Sequence, residues 1–165
     1  MSKKVFISDS TKDSAYAANF IDLLKNFGFR EKDIFCSSDY STGINYGEDI
    51  FERLKKELSN GPIVIYLLSK HYYESVICLN EMGTSWIVSK DHYPITLPNF
   101  NVKDIKGAIS QDRLSLVVGE QFQVPDLFRL IREISISANI EWPDLVSLNP
   151  IEYIEPIAKN LNDLI

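Results

Sequence analysis

The sequence predicts a three-layer α/β domain in which a doubly wound sheet of five parallel strands lies between two layers of helices. Two observations favour this class. Short apolar segments alternate along the chain with longer segments in which apolar residues recur every three or four positions. The clearest short segment, Ile63–Leu68, is apolar or aromatic throughout, as is typical of a central parallel strand with helices on both faces. Because strands and helices alternate, right-handed crossovers should produce a flavodoxin-like sheet.

The first half of the chain contains five predicted elements. They are, in order, a strand over residues 4–8, a helix over 14–27, a strand at Ile34–Cys36, a helix over 48–58 and a strand at Ile63–Leu68. The first helix carries an apolar stripe and is followed by Gly28, a common helix terminator. The second helix is also amphipathic, and Gly61 with Pro62 ends it.

The second half of the chain completes the alternation. Its predicted elements are a helix over residues 75–89, a strand over 93–97, a weak helix over 102–109, a strand over 114–118 and helices over 126–136 and 151–165. The last helix follows a loop that contains Trp-Pro and Asn-Pro pairs. We expect residues 1–140 to form the main domain and residues 141–165 to be a C-terminal helical extension packed on it.

Polar segments follow the predicted strands at their carboxyl ends. In doubly wound sheets, ligands bind beyond these ends, at the point where the strand order reverses. This rule predicts that a ligand would contact residues 8–13, 37–47 and 69–77, which follow the first three strands. The segment 37–47 is long for a connection in an α/β domain, so it is a candidate functional loop. Glu81 lies just over one helical turn beyond the third segment.

The helix over residues 75–89 leaves the role of Glu81 open. In projection, one side carries the residues expected to face the core, which are Val76, Leu79, Met82, Gly83 and Trp86. Glu81 lies nearly opposite, and this pattern by itself favours a helix residue in contact with water. Ile77 lies one turn before Glu81 and is unexpected on a solvated face. It indicates that this side of the helix borders a cleft or an interface.

Composition and charge exclude several classes of function. The 165-residue chain has a net charge of −6, so nucleic acid, which requires clustered basic residues, is not an expected partner. No apolar segment reaches the roughly 18 residues of a membrane span, and we expect neither a signal peptide nor a membrane partner. Cys36 and Cys78 lack metal-ligand spacing and are expected to be reduced thiols in a cytoplasmic protein.

The sequence lacks the motifs of several other kinds of functional site. His71 and His92 are the only histidines, and neither has partners at metal-ligand spacing, so no metal site is expected. The chain contains neither a glycine-rich phosphate-binding motif nor a Gly-x-Ser-x-Gly nucleophile elbow. A phosphoacceptor receiver domain would need an aspartate at the end of the third strand, and Ser69 occupies that position.

Four segments together resemble the Toll/interleukin-receptor (TIR) family. Residues 5–8, Val-Phe-Ile-Ser, are similar to the family's opening motif Phe-(Ile/Val)-Ser-Tyr. The loop that includes Gly43, with an amphipathic helix behind it, is similar to the family's BB loop, and the central strand with Ser69 after it is similar to that of the family. Within residues 73–82, the stretch from Ser75 to Met82 resembles the plant-type pattern Ser-x-Trp-Cys-Leu-x-Glu-Leu.

The resemblance implies an enzyme that cleaves the nicotinamide–ribose bond of NAD+, releasing nicotinamide with ADP-ribose or a cyclic relative. Glu81 matches the family's catalytic glutamate, whose carboxylate would stabilise an oxocarbenium-like ribosyl centre. The substrate-binding residues that the resemblance implies are Ser8, Asp9, Ser10, Asp39, Tyr40, Gly43, Ser75 and Ile77. NAD+ is then a substrate, and no permanently bound cofactor is expected.

The resemblance also implies binding partners, and it leaves two alternative functions open. Residues 1–140 would be a stand-alone, bacterial-type TIR domain that associates with other copies, and a separate effector would sense its product in anti-phage defence. Two residues depart from the family pattern, because Ile77 replaces a tryptophan and Asp9 replaces an aromatic residue. The alternatives are a non-catalytic module that acts only by TIR–TIR association and a nucleoside-processing transferase of similar fold.

Overall fold

The structure, a computed structural model, describes residues 3–39, 47–113, 115–119 and 123–165. Within these ranges the strands form one sheet in the order β2-β1-β3-β4-β5, and every neighbouring pair is parallel. The strands are β1 (Val5–Ser8), β2 (Ile34–Cys36), β3 (Ile63–Leu68), β4 (His92–Thr96) and β5 (Leu116–Val117). This order confirms the predicted doubly wound α/β sheet, in which the direction of winding reverses between β1 and β3.

Helices cover both faces of the sheet. Within the described residues they are α1 (Ser14–Asn26), α2 (Ile50–Leu58), α3 (Lys70–Glu74), α4 (Val76–Val88), α5 (Val124–Ala138), α6 (Asp144–Leu148) and α7 (Pro150–Asp163). Alternate residues of β3 enter two different apolar clusters. Ile65 belongs to the cluster formed with α1, α5 and α7, and Tyr66 belongs to the cluster formed with α2 and α4. Because β3 is buried on both faces, it has the continuous apolar sequence that was the clearest strand signal.

The structure corrects the predicted orientation of α4. Its buried residues are Cys78, Glu81, Met82 and Ser85. In contrast, Val76 and Ile87 are 72% and 84% exposed. The predicted core side was wrong, except for Met82, because apolar residues occur on both sides of this helix and periodicity cannot then identify the buried one. The side that packs on the sheet contains polar groups with specific partners, and Ser85 Oγ lies 2.8 Å from the Tyr66 hydroxyl of β3.

Two local structures also differ from the predictions. Ser69 Oγ accepts a hydrogen bond from the Tyr72 backbone N–H at 3.0 Å, which starts α3, a short helix before the predicted start of the third helix. The predicted helix over residues 102–109 is restricted to the 3-10 turn Val102–Asp104. Gly107 lies in the same segment with a φ of 86°, a left-handed conformation that is incompatible with a continuing helix.

The C-terminal helix α7 packs against α1 and α5. Its buried residues Ile154, Ile157, Ala158 and Leu161 belong to the same apolar cluster as the residues of β1 and β3 on that face of the sheet. The segment before α7 passes close to the end of α1, where Gly28 has a φ of 95° and a Cβ atom would lie 3.3 Å from the Glu141 carbonyl oxygen. None of the helices in the described part of the chain is long and apolar enough to cross a membrane.

Candidate functional site

A cleft of about 480 Å³ lies at the carboxyl edge of the sheet, where the winding reverses between β1 and β3. Residues 9–12, which follow β1, form one wall, and Ser37 lies beyond the end of β2. The α3–α4 segment supplies the other lining residues, which are His71, Glu74, Ser75, Ile77, Cys78 and Glu81. The cleft therefore occupies the position at which doubly wound folds bind ligands.

Glu81 is the most deeply buried carboxyl group of the cleft, with 1% of its surface exposed. One of its oxygens, Oε2, accepts a hydrogen bond of 2.5 Å from the Ser8 hydroxyl at the end of β1. The Ser8 Oγ atom also lies 2.8 Å from the Tyr72 hydroxyl, which donates to the Cys78 carbonyl at 3.0 Å. The other oxygen, Oε1, is buried and receives no hydrogen bond of regular geometry from any described residue.

Burial changes the acid–base behaviour of Glu81. Loss of solvation disfavours the ionised form and raises the pKa of this carboxyl from 4.5 to about 7. The hydroxyls of Ser8 and Ser37 act in the opposite direction, and the nearby carboxylate of Asp9 adds to the increase. Glu81 can therefore exchange a proton near neutral pH, as acid–base and electrostatic catalysts often do.

Asp9 is a second buried carboxyl at the cleft, with 3% of its surface exposed. Its oxygens accept hydrogen bonds from the Cys36 thiol at 3.2 Å and from the Ser38 hydroxyl. Burial raises the pKa of Asp9 to about 6, although the bonds from Ser38 and Cys36 lower it. The Cys78 thiol donates to the Asp9 carbonyl at 3.4 Å. Asp9 thus links the ends of β1 and β2 to helix α4.

Asp13 fixes the wall that follows β1. Its carboxylate accepts a 2.5 Å hydrogen bond from the Ser69 hydroxyl at the end of β3. Burial raises the pKa of Asp13, and the bond from Ser69 opposes this change. The polar cluster after β1 is the sequence signal that could have indicated Asp13. No comparable sequence signal indicates Tyr72, which lies between His71 and Tyr73 in a short polar and aromatic segment.

The rim of the cleft is charged and one wall is apolar. Lys12, His71 and Glu74 line the opening, and His71 Nδ1 lies 4.0 Å from a Glu74 carboxylate oxygen. Ile77 is 41% exposed and provides an apolar wall. No group of three or more His, Cys, Asp or Glu side chains in the described part of the chain is arranged to hold a metal ion. The site combines a buried acid, an apolar surface and mixed charges at its entrance.

The structure brings together six of the residues that the resemblance implies. Asp9, Ser10, Ser75, Ile77 and Glu81 line the cleft, and Ser8 contacts it through Glu81. Ser75 also accepts a hydrogen bond from the Cys78 N–H at 3.3 Å and so caps α4.

The remaining implied residues belong to the segment that follows β2. Asp39 donates its backbone N–H to the Cys36 carbonyl at 3.3 Å, at the start of this segment. Tyr40 and Gly43 lie outside the described residues. The predicted role of this segment as a gate to the cleft therefore stays a prediction.

No family model matches the chain. The chain is 42% identical over 134 residues to the uncharacterized protein YddK of Bacillus subtilis (strain 168), a match that covers 81% of this chain and 49% of YddK. The chain thus spans about half the length of this relative.

A solved structure also matches the chain. It contains the TIR domains of the activated Roq1 resistosome, which directly recognizes the pathogen effector XopQ. The match has 17% sequence identity and a TM-score of 0.48, and it covers 98% of this chain and 84% of the other.

Proposed function

We propose that the cleft around Glu81 binds NAD+ and that Glu81 promotes cleavage of its nicotinamide–ribose bond. The observation that carries this proposal is the buried carboxyl group of Glu81 at the cleft, with one oxygen held by Ser8 and the other without a hydrogen bond of regular geometry from any described residue. The resemblance of the surrounding sequence to enzymatic TIR domains supplies the identity of the substrate. The apolar surface of Ile77 offers a place for the nicotinamide ring.

The proposed mechanism uses Glu81 in its ionised form. As the nicotinamide–ribose bond breaks, positive charge develops on the ribosyl ring, and a carboxylate with an unpaired oxygen stabilises it electrostatically. Nicotinamide leaves as a neutral ring, so the leaving group requires no general acid. Ser8 holds Oε2 and so leaves Oε1 for the ribose. Water or a ribose hydroxyl would then complete the reaction.

The biological setting is part of the same proposal. The products would be nicotinamide and ADP-ribose or a cyclic relative, and a separate effector would respond to the nucleotide product. We place this reaction in bacterial anti-phage defence and propose that it depends on self-association of the chain. The support for this setting is the sequence resemblance to the TIR family.

The decisive experiment is incubation of the protein with NAD+ at high protein concentration, with nicotinamide and nucleotide products separated by chromatography. We expect nicotinamide release by the wild type and a loss of about 100-fold or more in Glu81→Gln, since the neutral amide cannot stabilise the developing charge. Glu133→Gln is the matched control, because Glu133 lies on α5 in an ion pair with Arg129 and does not line the cleft.

Two results would contradict the proposal in different ways. If the wild type releases no nicotinamide under any condition of concentration or crowding, the proposed activity is wrong. If it releases nicotinamide and Glu81→Gln does so equally well, the activity stands and the role of Glu81 is wrong.

The second candidate function is a non-catalytic module that acts by self-association. The exposed apolar residues of α4 favour it, because Val76 and Ile87 present a surface that a second copy could cover. Both functions can coexist in one chain. They differ in what happens when Glu81 is neutralised, since association does not require its charge.

A further inference from the structure

A chain of three short contacts connects Glu81 to the backbone of its own helix. Glu81 Oε2 lies 2.5 Å from Ser8 Oγ, Ser8 Oγ lies 2.8 Å from the Tyr72 hydroxyl, and the Tyr72 hydroxyl lies 3.0 Å from the Cys78 carbonyl oxygen. Ser8 and Tyr72 each have a relative exposure of 0%. Solvent therefore does not supply hydrogen-bond partners to either hydroxyl group.

The number of protons in this chain depends on the state of Glu81. Three contacts require three hydrogens, and the two hydroxyl groups provide only two. If Glu81 is ionised, Ser8 donates to the carboxylate, Tyr72 must donate to either Ser8 or Cys78, and one contact has no hydrogen. If Glu81 is protonated, it donates to Ser8, Ser8 donates to Tyr72 and Tyr72 donates to the Cys78 carbonyl. Every contact is then a hydrogen bond.

Burial and one charged neighbour of Glu81 act in the same direction, whereas the hydrogen bonds from Ser8 and Ser37 oppose them. The charged neighbour that affects this carboxyl is Asp9, beyond the end of β1, and an anion there disfavours a second negative charge. The Ser37 hydroxyl after β2 favours the ionised form, but burial outweighs it, and the pKa of Glu81 is raised to about 7. The Tyr72 and Cys78 side chains stay neutral at this pH, because burial raises the pKa of each.

We propose that Tyr72 is a positioning residue that acts through Ser8 to stabilise the protonated form of Glu81 in the ligand-free protein, so that a cationic ligand binds by replacing this proton. The charge balance is simple, because a neutral acid loses one proton as one pyridinium cation enters beside it. A pyridinium cation can supply a favourable interaction to Oε1, which receives no hydrogen bond of regular geometry from any described residue. The cleft thereby selects a positively charged ring over a neutral one.

The test is a titration of the Glu81 carboxyl in the ligand-free protein by 13C-detected NMR. The glutamate carboxyl carbons are labelled, and the Glu81 signal is identified because it is lost in Glu81→Gln. We expect Tyr72→Phe to lower the measured pKa by about one pH unit, since one lost hydrogen bond corresponds to roughly a tenfold change in acidity. We expect Ser8→Ala to raise it, because the ionised carboxylate loses its donor.

Tyr73→Phe is the matched control. Tyr73 is adjacent in the sequence, and its hydroxyl bonds to the Lys106 backbone instead of Ser8. A Tyr72→Phe titration that coincides with that of Tyr73→Phe, or lies above it, would overturn the inference. So would a downward shift in Ser8→Ala.

The activity readout rests on the proposed function, whereas the titration does not. In the pH profile of nicotinamide release, the midpoint should move with the Glu81 pKa, by about one pH unit to lower pH in Tyr72→Phe. Wild-type protein that releases no nicotinamide would contradict the proposed function, and the NMR titration would still decide whether Tyr72 stabilises the protonated acid.

Discussion

At the scale of single residues, Glu81 shows how an ionisable group is kept in the interior of a folded domain at a cost in stability. A carboxyl group that is 1% exposed, with one oxygen that receives no regular hydrogen bond from the described residues, would usually be replaced by an apolar or fully bonded side chain. Ser8 supplies one partner and Asp9 adds a repulsive charge nearby. The arrangement is understandable if the ionised group serves a purpose other than folding.

This cost gives a prediction for stability against pH. The folded-state pKa of Glu81 is about 7, whereas the ordinary value is 4.5. The contribution of Glu81 to the free energy of unfolding is therefore fully present below pH 4.5 and is lost as the pH rises through 7. We expect the stability difference between Glu81→Gln and wild type to change by about 3 kcal/mol in favour of the variant between pH 4 and pH 8. Urea unfolding at both pH values measures it.

The control for this prediction is again Glu133→Gln, at a carboxylate in an exposed ion pair. Its stability relative to wild type should change little over the same pH range. A Glu81→Gln variant with a constant difference from wild type at pH 4 and pH 8 would show that Glu81 is ionised at the same pH in the folded and unfolded chains.

At the scale of elements, α4 is the helix in which local sequence and tertiary packing disagree. The side of α4 that faces the sheet includes Met82 and Ser85, and the exposed side includes Val76 and Ile87. Ser85 is compatible with burial because its hydroxyl lies 2.8 Å from Tyr66 and 2.6 Å from the Glu81 carbonyl oxygen. The orientation of the helix therefore depends on polar partners in the sheet as well as on apolar area.

A pair of alanine substitutions on α4 tests this orientation. We expect Met82→Ala to lower the free energy of unfolding by about 2–4 kcal/mol, because Met82 is 1% exposed and its removal leaves a cavity. Ile87→Ala should change it by less than about 0.5 kcal/mol, because Ile87 is 84% exposed. Chemical denaturation of both variants at one pH provides the comparison. A larger effect at Ile87 would contradict the orientation that the structure gives α4.

At the scale of the whole molecule, the sequence predicts the sheet and the location of the site but not the internal connections of the site. The order of strands and helices follows from alternating apolar segments such as Ile63–Leu68, and the carboxyl edge then follows from parallel pairing. The contact between Ser8 and Tyr72 joins residues 64 positions apart and depends on how α3 sits over β1. Periodicity carries no information of that kind, and it assigned Glu81 to the wrong side of α4.

The exposed apolar residues of α4 give a prediction about assembly. If this surface is an interface between copies, Ile87→Asp should reduce self-association, because a charge cannot be buried there without a partner. Lys159→Asp on α7 introduces the same residue elsewhere on the exposed surface and serves as the control. Sedimentation velocity over a range of protein concentrations measures the change. Equal association of wild type and Ile87→Asp would exclude this surface as the interface.

The two thiols beside the cleft have a consequence for chemical reactivity. The Cys36 and Cys78 thiols donate to the side chain and the backbone of Asp9, and both are buried. Burial raises the pKa of Cys78 to about 12 and also raises the pKa of Cys36, so neither forms the thiolate that attacks electrophiles at neutral pH. Cys78 lines the cleft, yet we expect it to react slowly with alkylating reagents and mild oxidants while the domain stays folded.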